Sequence, residues 1–168
     1  MRRPSYSLTQ GFTLLEVLIA IVVLSFGLLG MAGLQANGVR NTHSANLRTL
    51  AVHQAYDMAD RMRANVNGMK QSLYDNIPIT AGTNPACITA GCTASQLRDY
   101  DRYIWNTNNA AMLPLGRGTV AAVAGTAVPK KEFIITVMWD EYRTGVTGTG
   151  CGGDPGTDLT CFRVTFRQ

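Results

Sequence analysis

The sequence predicts an α+β fold in which one long amino-terminal helix packs against a small antiparallel sheet. Three observations carry that expectation. Gly11 to Gln35 reads GFTLLEVLIAIVVLSFGLLGMAGLQ, an apolar run of bilayer length. Beyond it, apolar residues continue at helical spacing as far as Met69. Near the carboxyl end, two β-branched and aromatic segments, Phe133–Trp139 and Leu159–Arg167, have the character of paired strands.

The apolar run comes first. From Val17 to Val39 no residue is ionisable. As helix, at about 1.5 Å per residue, that stretch is about 35 Å long and exceeds the ~30 Å hydrocarbon core. Overall 46% of residues are hydrophobic and 15% charged, and no second run of this kind follows. The chain therefore reads as a single span with a soluble body. Arg2 and Arg3 precede the span, and the positive-inside rule puts them in the cytoplasm. The body then lies outside, in the periplasm if the source is a Gram-negative bacterium.

One residue interrupts the apolar pattern. Glu16 is a carboxylate near the start of the span, where a charge costs up to about 2.5–3.5 kcal/mol at full depth and less near an end. A retained intramembrane acid implies a function and a cationic partner. Gly27, Gly30 and Gly33 recur at three-residue steps, each weakening a helix by about 0.8–1 kcal/mol relative to alanine. They read equally as close helix packing or as a segment able to melt locally.

The second half of the helix is amphipathic. Leu47, Leu50, Ala51, Ala55, Met58, Ala59, Met62, Val66 and Met69 fall on one stripe, and Arg48, His53, Asp57, Asp60 and Arg61 fall elsewhere. Asp57 stands four residues before Arg61, the spacing of an intrahelical ion pair. Asn67-Gly68 is the expected C-terminal cap. The helix is thus expected from Phe12 to Asn67, about 80 Å at 1.5 Å per residue.

Residues 71–93, with Pro78 and Pro85, read as a loop. A second helix is expected from Ser95, as N-cap, to Met112, with Leu97, Tyr100, Ile104 and Trp105 inward and Leu113-Pro114 as its stop. Thr119–Val123 reads as a short strand. In Leu159–Arg167, Phe162, Val164 and Phe166 share one face and Arg163, Thr165 and Arg167 the other. Glycine-rich Thr144–Asp158 joins the last two strands as a hairpin loop.

Cys87, Cys92, Cys151 and Cys161 are even in number, and outside the cytoplasm an even count reads as disulfides. Of the possible pairings the two local ones, Cys87–Cys92 and Cys151–Cys161, are expected. A four-thiolate zinc site is the competing reading. Its four- and nine-residue spacers fit poorly with the short cysteine pairs of structural zinc.

No enzyme is legible. His43 and His53 lack partners at metal-ligand spacing. Asp99 with Asp101, and Asp140 with Glu141, read as solvated carboxylates. Gly116-Arg117-Gly118 is too short for a phosphate loop, and Asp154 and Asp158 lack an EF-hand pattern. Trp105 and Trp139 read as core. No cofactor or metal is expected. The net charge of +4 is modest and the basic residues are scattered, which argues against nucleic acid as the main partner.

The segment Gly11-Phe12-Thr13-Leu14-Leu15-Glu16-Val17 resembles the class III signal of type IV pilins and type II secretion pseudopilins. An ordinary secretory signal has a shorter apolar region, and cleavage after Ala32 would discard Glu16. The resemblance implies a pilin-like lollipop fold, cleavage between Gly11 and Phe12 by a prepilin peptidase, and methylation of the new Phe12 amine. It gives Glu16 a subunit-assembly role opposite the Phe12 amine of an adjacent subunit, since the two charges compensate each other in low dielectric. It divides the chain into a leader, 1–11, a transmembrane or filament-core half-helix, 12–39, and an amphipathic half-helix with a periplasmic head, 40–168.

Within that family, AYDMADRMRAN (Ala55–Asn65), LRDYDRYIWN, LPLGRGTV, ITVMWDE and the terminal CFRVTFRQ resemble the minor pilins of the pilus modification group, PilV. That resemblance implies a low-abundance subunit that helps initiate pili and lies near the tip, supporting twitching motility or adhesion. Its location would be the inner membrane before assembly and the pilus afterwards. The implied partners are the prepilin peptidase, other minor pilins, the major pilin and a tip adhesin. A minor pseudopilin of type II secretion and a filament-displayed binding module are the alternatives.

Overall fold

A computed structural model describes residues 11–87, 89–127, 131–151, 154 and 156–167. Residues 1–10, which belong to the expected leader and include the Arg2 and Arg3 that set the expected orientation, lie outside the described residues. In chain order the elements are α1 (Leu14–Ala64), α2 (Val66–Lys70), β1 (Asn76–Ile77), α3 (Ala94–Met112), β2 (Arg117–Ala122), β3 (Glu132–Trp139) and β4 (Thr160–Arg167). A long amino-terminal helix with a four-stranded antiparallel sheet is the expected α+β class. The chain divides into two compact units, Met1–His43 and Ser44–Gln168.

In the second unit the stripe on α1 is buried through Leu47, Ala51, Ala55, Met58, Ala59 and Met62. They form one apolar cluster with Tyr74, Trp105, Phe133, Ile135, Val137, Trp139 and Phe166. The alanines leave room on this helix face for the large aromatic side chains of the cluster. Val66 departs from the expected stripe and is 52% exposed, because the helix has already broken before it.

The sheet order is β1-β2-β3-β4, each pair antiparallel. Phe133, Ile135, Val137 and Trp139 alternate inward along β3 and are fully buried. β4 alternates as expected, with Phe166 buried and Arg163, Thr165 and Arg167 exposed. Gly118 on β2 lies directly under the Trp105 ring: a Cβ there would stand 2.3 Å from the ring edge. Only a residue without a side chain allows that approach.

β2 runs Arg117–Ala122 rather than the expected Thr119–Val123, and β3 and β4 each start one residue away from expectation; four other boundaries differ for a local reason. Helix α1 starts at Leu14 rather than Phe12, because Thr13 Oγ1 accepts from Glu16 N at 3.2 Å and so acts as the N-cap. It ends at Ala64 rather than Asn67, since Asn65 (φ −96°, ψ 65°) leaves helical geometry and caps α2 by accepting from Gly68 N at 3.0 Å. Gly68 therefore sits inside α2, where a Cβ would meet the Asn65 amide at 2.6 Å. Thr93, not Ser95, caps α3: it shares a reciprocal capping box with Gln96, whereas Ser95 has Arg98 three residues on. The expected loop 71–93 contains β1, two residues paired to Val120 and Ala121.

The inner face of α3 is more polar than expected. Trp105 is buried, but Leu97, Tyr100 and Ile104 are only half-buried, and Asp101, Asn106 and Asn109 take the inward positions. Asn106 Oδ1 accepts from Gly118 N at 2.7 Å, and Trp105 Nε1 donates to Gln54 O at 2.7 Å. These bonds satisfy Trp105 and Asn106 under the sheet, whereas both side-chain polar atoms of Asn109 are buried without a hydrogen-bond partner among the described residues.

Candidate assembly site

Gly11 and Phe12 precede the Thr13 cap and lie outside the helix, with Phe12 84% exposed. The Gly11–Phe12 peptide bond therefore lies outside the helix. Glu16 occupies the third helical position, where its negative charge also favours the helix amino terminus. Among the described residues its carboxylate has no hydrogen-bond or ion-pair partner, its backbone N–H being the group that binds Thr13. The large apolar side chains from Phe12 to Val39 are all exposed, and the helix is long and apolar enough to cross a membrane. At Gly27, Gly30 and Gly33 a Cβ would meet nothing within 4 Å. A continuous exposed apolar surface of this kind is the mark of a membrane or protein contact.

The head holds the cysteines in two bridges. Cys87 is joined to Cys92 with Cα atoms 5.0 Å apart, in the loop before α3. Cys151 is joined to Cys161 at 5.1 Å, tying the glycine-rich loop to β4. His43 and His53 are exposed on α1. Asp154 and Asp158 accept from the backbone of Gly156 and Gly150 at 2.8 and 3.0 Å, so both serve the turn they belong to.

Two carboxylates read as solvated are buried instead. Asp101 is 4% exposed and accepts from Tyr74 Oη at 2.5 Å, while Arg61 stands 3.6 Å from its other oxygen. Burial raises the Asp101 pKa above the ordinary carboxylate value, even though Tyr74 and Arg61 pull against it. Tyr74 is pushed strongly upward by burial and then by the neighbouring Asp101. Arg61 loses hydration, yet Asp57, bonded at 2.8 Å, and Asp101 outweigh that loss and raise its pKa. Asn65 completes the group, donating to Tyr74 Oη at 3.0 Å and to Ala94 O at 2.8 Å. One polar cluster thus joins α1, the turn after α2, and α3.

Asp140 is the second correction. Burial alone would raise its pKa, but the N–H of Gly145, with Thr144 and Arg143, holds it below the ordinary value. The Gly145 bond is 2.7 Å, so Asp140 closes the turn after β3. Lys131 is buried too, bonded to Ser72 Oγ at 2.9 Å and to Asp75. Helical spacing could have found Asp101, which lies one turn before Trp105; nothing local marks Tyr74 or Lys131.

Two family models match the chain. The prokaryotic N-terminal methylation motif matches residues 7–32, and the type IV pilin Tt1218 family matches residues 33–103. No curated protein and no solved structure matches. The two matches adjoin. They take in the Gly11–Glu16 segment, all of α1 and the head as far as Tyr103 in α3. Pilins are structural subunits rather than enzymes, and the motif implies processing by a prepilin peptidase and assembly with other pilins. The chain is thus similar to the type IV pilin Tt1218 family over residues 33–103 and to the prokaryotic N-terminal methylation motif over residues 7–32.

Proposed function

We propose that the chain is a minor pilin, cut between Gly11 and Phe12, methylated on the Phe12 amine, and held in a filament by Glu16. The observation that carries this reading is the unpartnered Glu16 carboxylate on an exposed apolar helix. Cleavage leaves a cationic amine on Phe12, and a neighbour's amine is the counter-charge a low-dielectric fibre would require. Methylation leaves that positive charge in place. Residues 12–39 would serve as membrane anchor before assembly and as filament core afterwards. The bridges Cys87–Cys92 and Cys151–Cys161 suit a head folded in an oxidising compartment. The likeness of Ala55–Asn65 and the later segments to the pilus modification group, PilV, supports a low-abundance subunit near the tip. Its partners there would be the major pilin, other minor pilins and a tip adhesin.

The test is a pair of measurements on cells making pili. Intact mass of the membrane protein should show loss of residues 1–11 and gain of one methyl group. Glu16→Ala should remain in membranes, because removing the charge lowers insertion cost, and should be missing from sheared pili. Wild-type incorporation of the variant would remove the role given to Glu16. Recovery of the wild-type protein with a secretion complex, and never with sheared pili, would favour the pseudopilin reading.

A further inference from the structure

The face of the sheet turned away from the core carries one polar row across three strands. Thr119 on β2 stands opposite Thr136 on β3, and Thr136 opposite Arg163 on β4. A row on a solvated face is ordinarily exposed, yet Thr136 and its neighbour Met138 are buried. Two loops reach this face. Ile79, after β1, and Thr149, in the glycine-rich loop, join these residues in lining a cavity of about 300 Å³. Cys151 lines it as well, so the Cys151–Cys161 bridge fixes that rim to β4.

The polar groups there are unspent. Among the described residues Arg163 has no ion-pair partner, whereas Arg167 on the same strand face is paired with Glu132. The nearby Asp158 carboxylate is bound to the Gly150 N–H and does not line the cavity. A guanidinium, three threonine hydroxyls and two apolar side chains therefore converge on one space.

We propose that this cavity is a subsite for an acidic sugar, a single ring bearing a carboxylate. The planar fork of Arg163 matches a carboxylate through two parallel charge-assisted hydrogen bonds. Threonine hydroxyls both donate and accept, as sugar hydroxyls require. Ile79, backed by the buried Met138, offers an apolar surface to the ring's C–H face. The volume lies at the small end of ligand sites and suits one ring rather than a helix or lipid chain. The subsite is a property of the head alone, and it stands whether or not the chain enters a filament.

The experiment is titration calorimetry on the full-length mature protein, in a sugar-free polyoxyethylene detergent and Tris buffer. The probes are glucuronate, glucose and inorganic sulfate. Glucuronate should bind saturably, and glucose and sulfate each about ten-fold more weakly or worse. Arg163→Gln should weaken glucuronate binding by about ten-fold or more, and Thr136→Val by several-fold, with Arg167→Gln unchanged. Thermal unfolding of each variant verifies its fold, and among the described residues exposed Arg163 has no side-chain hydrogen bond or ion pair to lose. Absence of glucuronate binding, equal binding of glucose, equal binding of sulfate, or an Arg163→Gln variant that binds like the wild type would each overturn the proposal.

Discussion

The Tyr74 hydroxyl donates a 2.5 Å hydrogen bond to Asp101 while accepting one from Asn65. Through that single oxygen the end of α1, the turn after α2 and the inner face of α3 share one contact. Tyr74→Phe removes the donor to a buried carboxylate and an acceptor for Asn65, and should cost about 1–3 kcal/mol. The effect should fall well short of additive with Asp101→Asn, because both substitutions break the same bond. Denaturant unfolding of both single variants and the double variant checks this, and strict additivity would mean that the bond contributes nothing.

Asp101 and Asp140 should bend the stability–pH curve in opposite directions. Asp101 has a raised pKa in the fold, so its contribution is fully present below the ordinary value of 3.8 and is lost as pH rises through the folded value. Asp140 has a lowered pKa, so its contribution is present above 3.8 and is lost as pH falls through the folded value. Asp140→Asn should therefore flatten the loss of stability toward acid, and Asp101→Asn should flatten a decline on the side above 3.8. Melting temperatures of each variant, subtracted from wild type across pH, should slope with opposite signs.

Gly118→Ala tests the contact between β2 and Trp105. The new methyl group would lie 2.3 Å from the indole edge, so the ring or the strand must move. A destabilisation of about 1–3 kcal/mol is expected, with a shift in Trp fluorescence. At Gly125, where φ is +80° and nothing lies within 4 Å, alanine should leave the fluorescence unchanged.

The two bridges close short loops, with separations of 5 and 10 residues. Chain-entropy reasoning assigns each about 2–3 kcal/mol, slightly more to Cys151–Cys161. Paired Cys→Ser substitutions, followed by thermal unfolding, should reproduce that order. Non-reducing peptide maps should give no crossed pairs.

Long periodic segments were legible in the sequence. The span, the Leu47–Met62 stripe, β3 and β4 all follow from side-chain spacing that only one secondary structure can satisfy. What escaped was set by single side chains acting at a distance. Asn65 ends α1 because its amide finds Gly68, Tyr74 and Ala94 together, and spacing along the chain contains no trace of that meeting. Asp101 looked solvated because its partners, Arg61 and Tyr74, lie 40 and 27 residues away. At the amino terminus the motif residues were legible because they are contiguous. The Thr13 cap that leaves Gly11 and Phe12 outside the helix was not, although the Thr-x-x-Glu pattern spells it.

Neither bridge crosses from α1 to the sheet, since both join residues outside that helix. If the chain is held in a filament by residues 12–39 as proposed, tension enters the head along the Ser44–Ala64 part of α1. Resistance there falls on shape-matched alanines, aromatics and the Asn65–Tyr74–Asp101 bonds, not on sulfur. Contacts of that kind contain no covalent bond, so under the proposed load the two stapled loops would outlast the packing of α1 on the head.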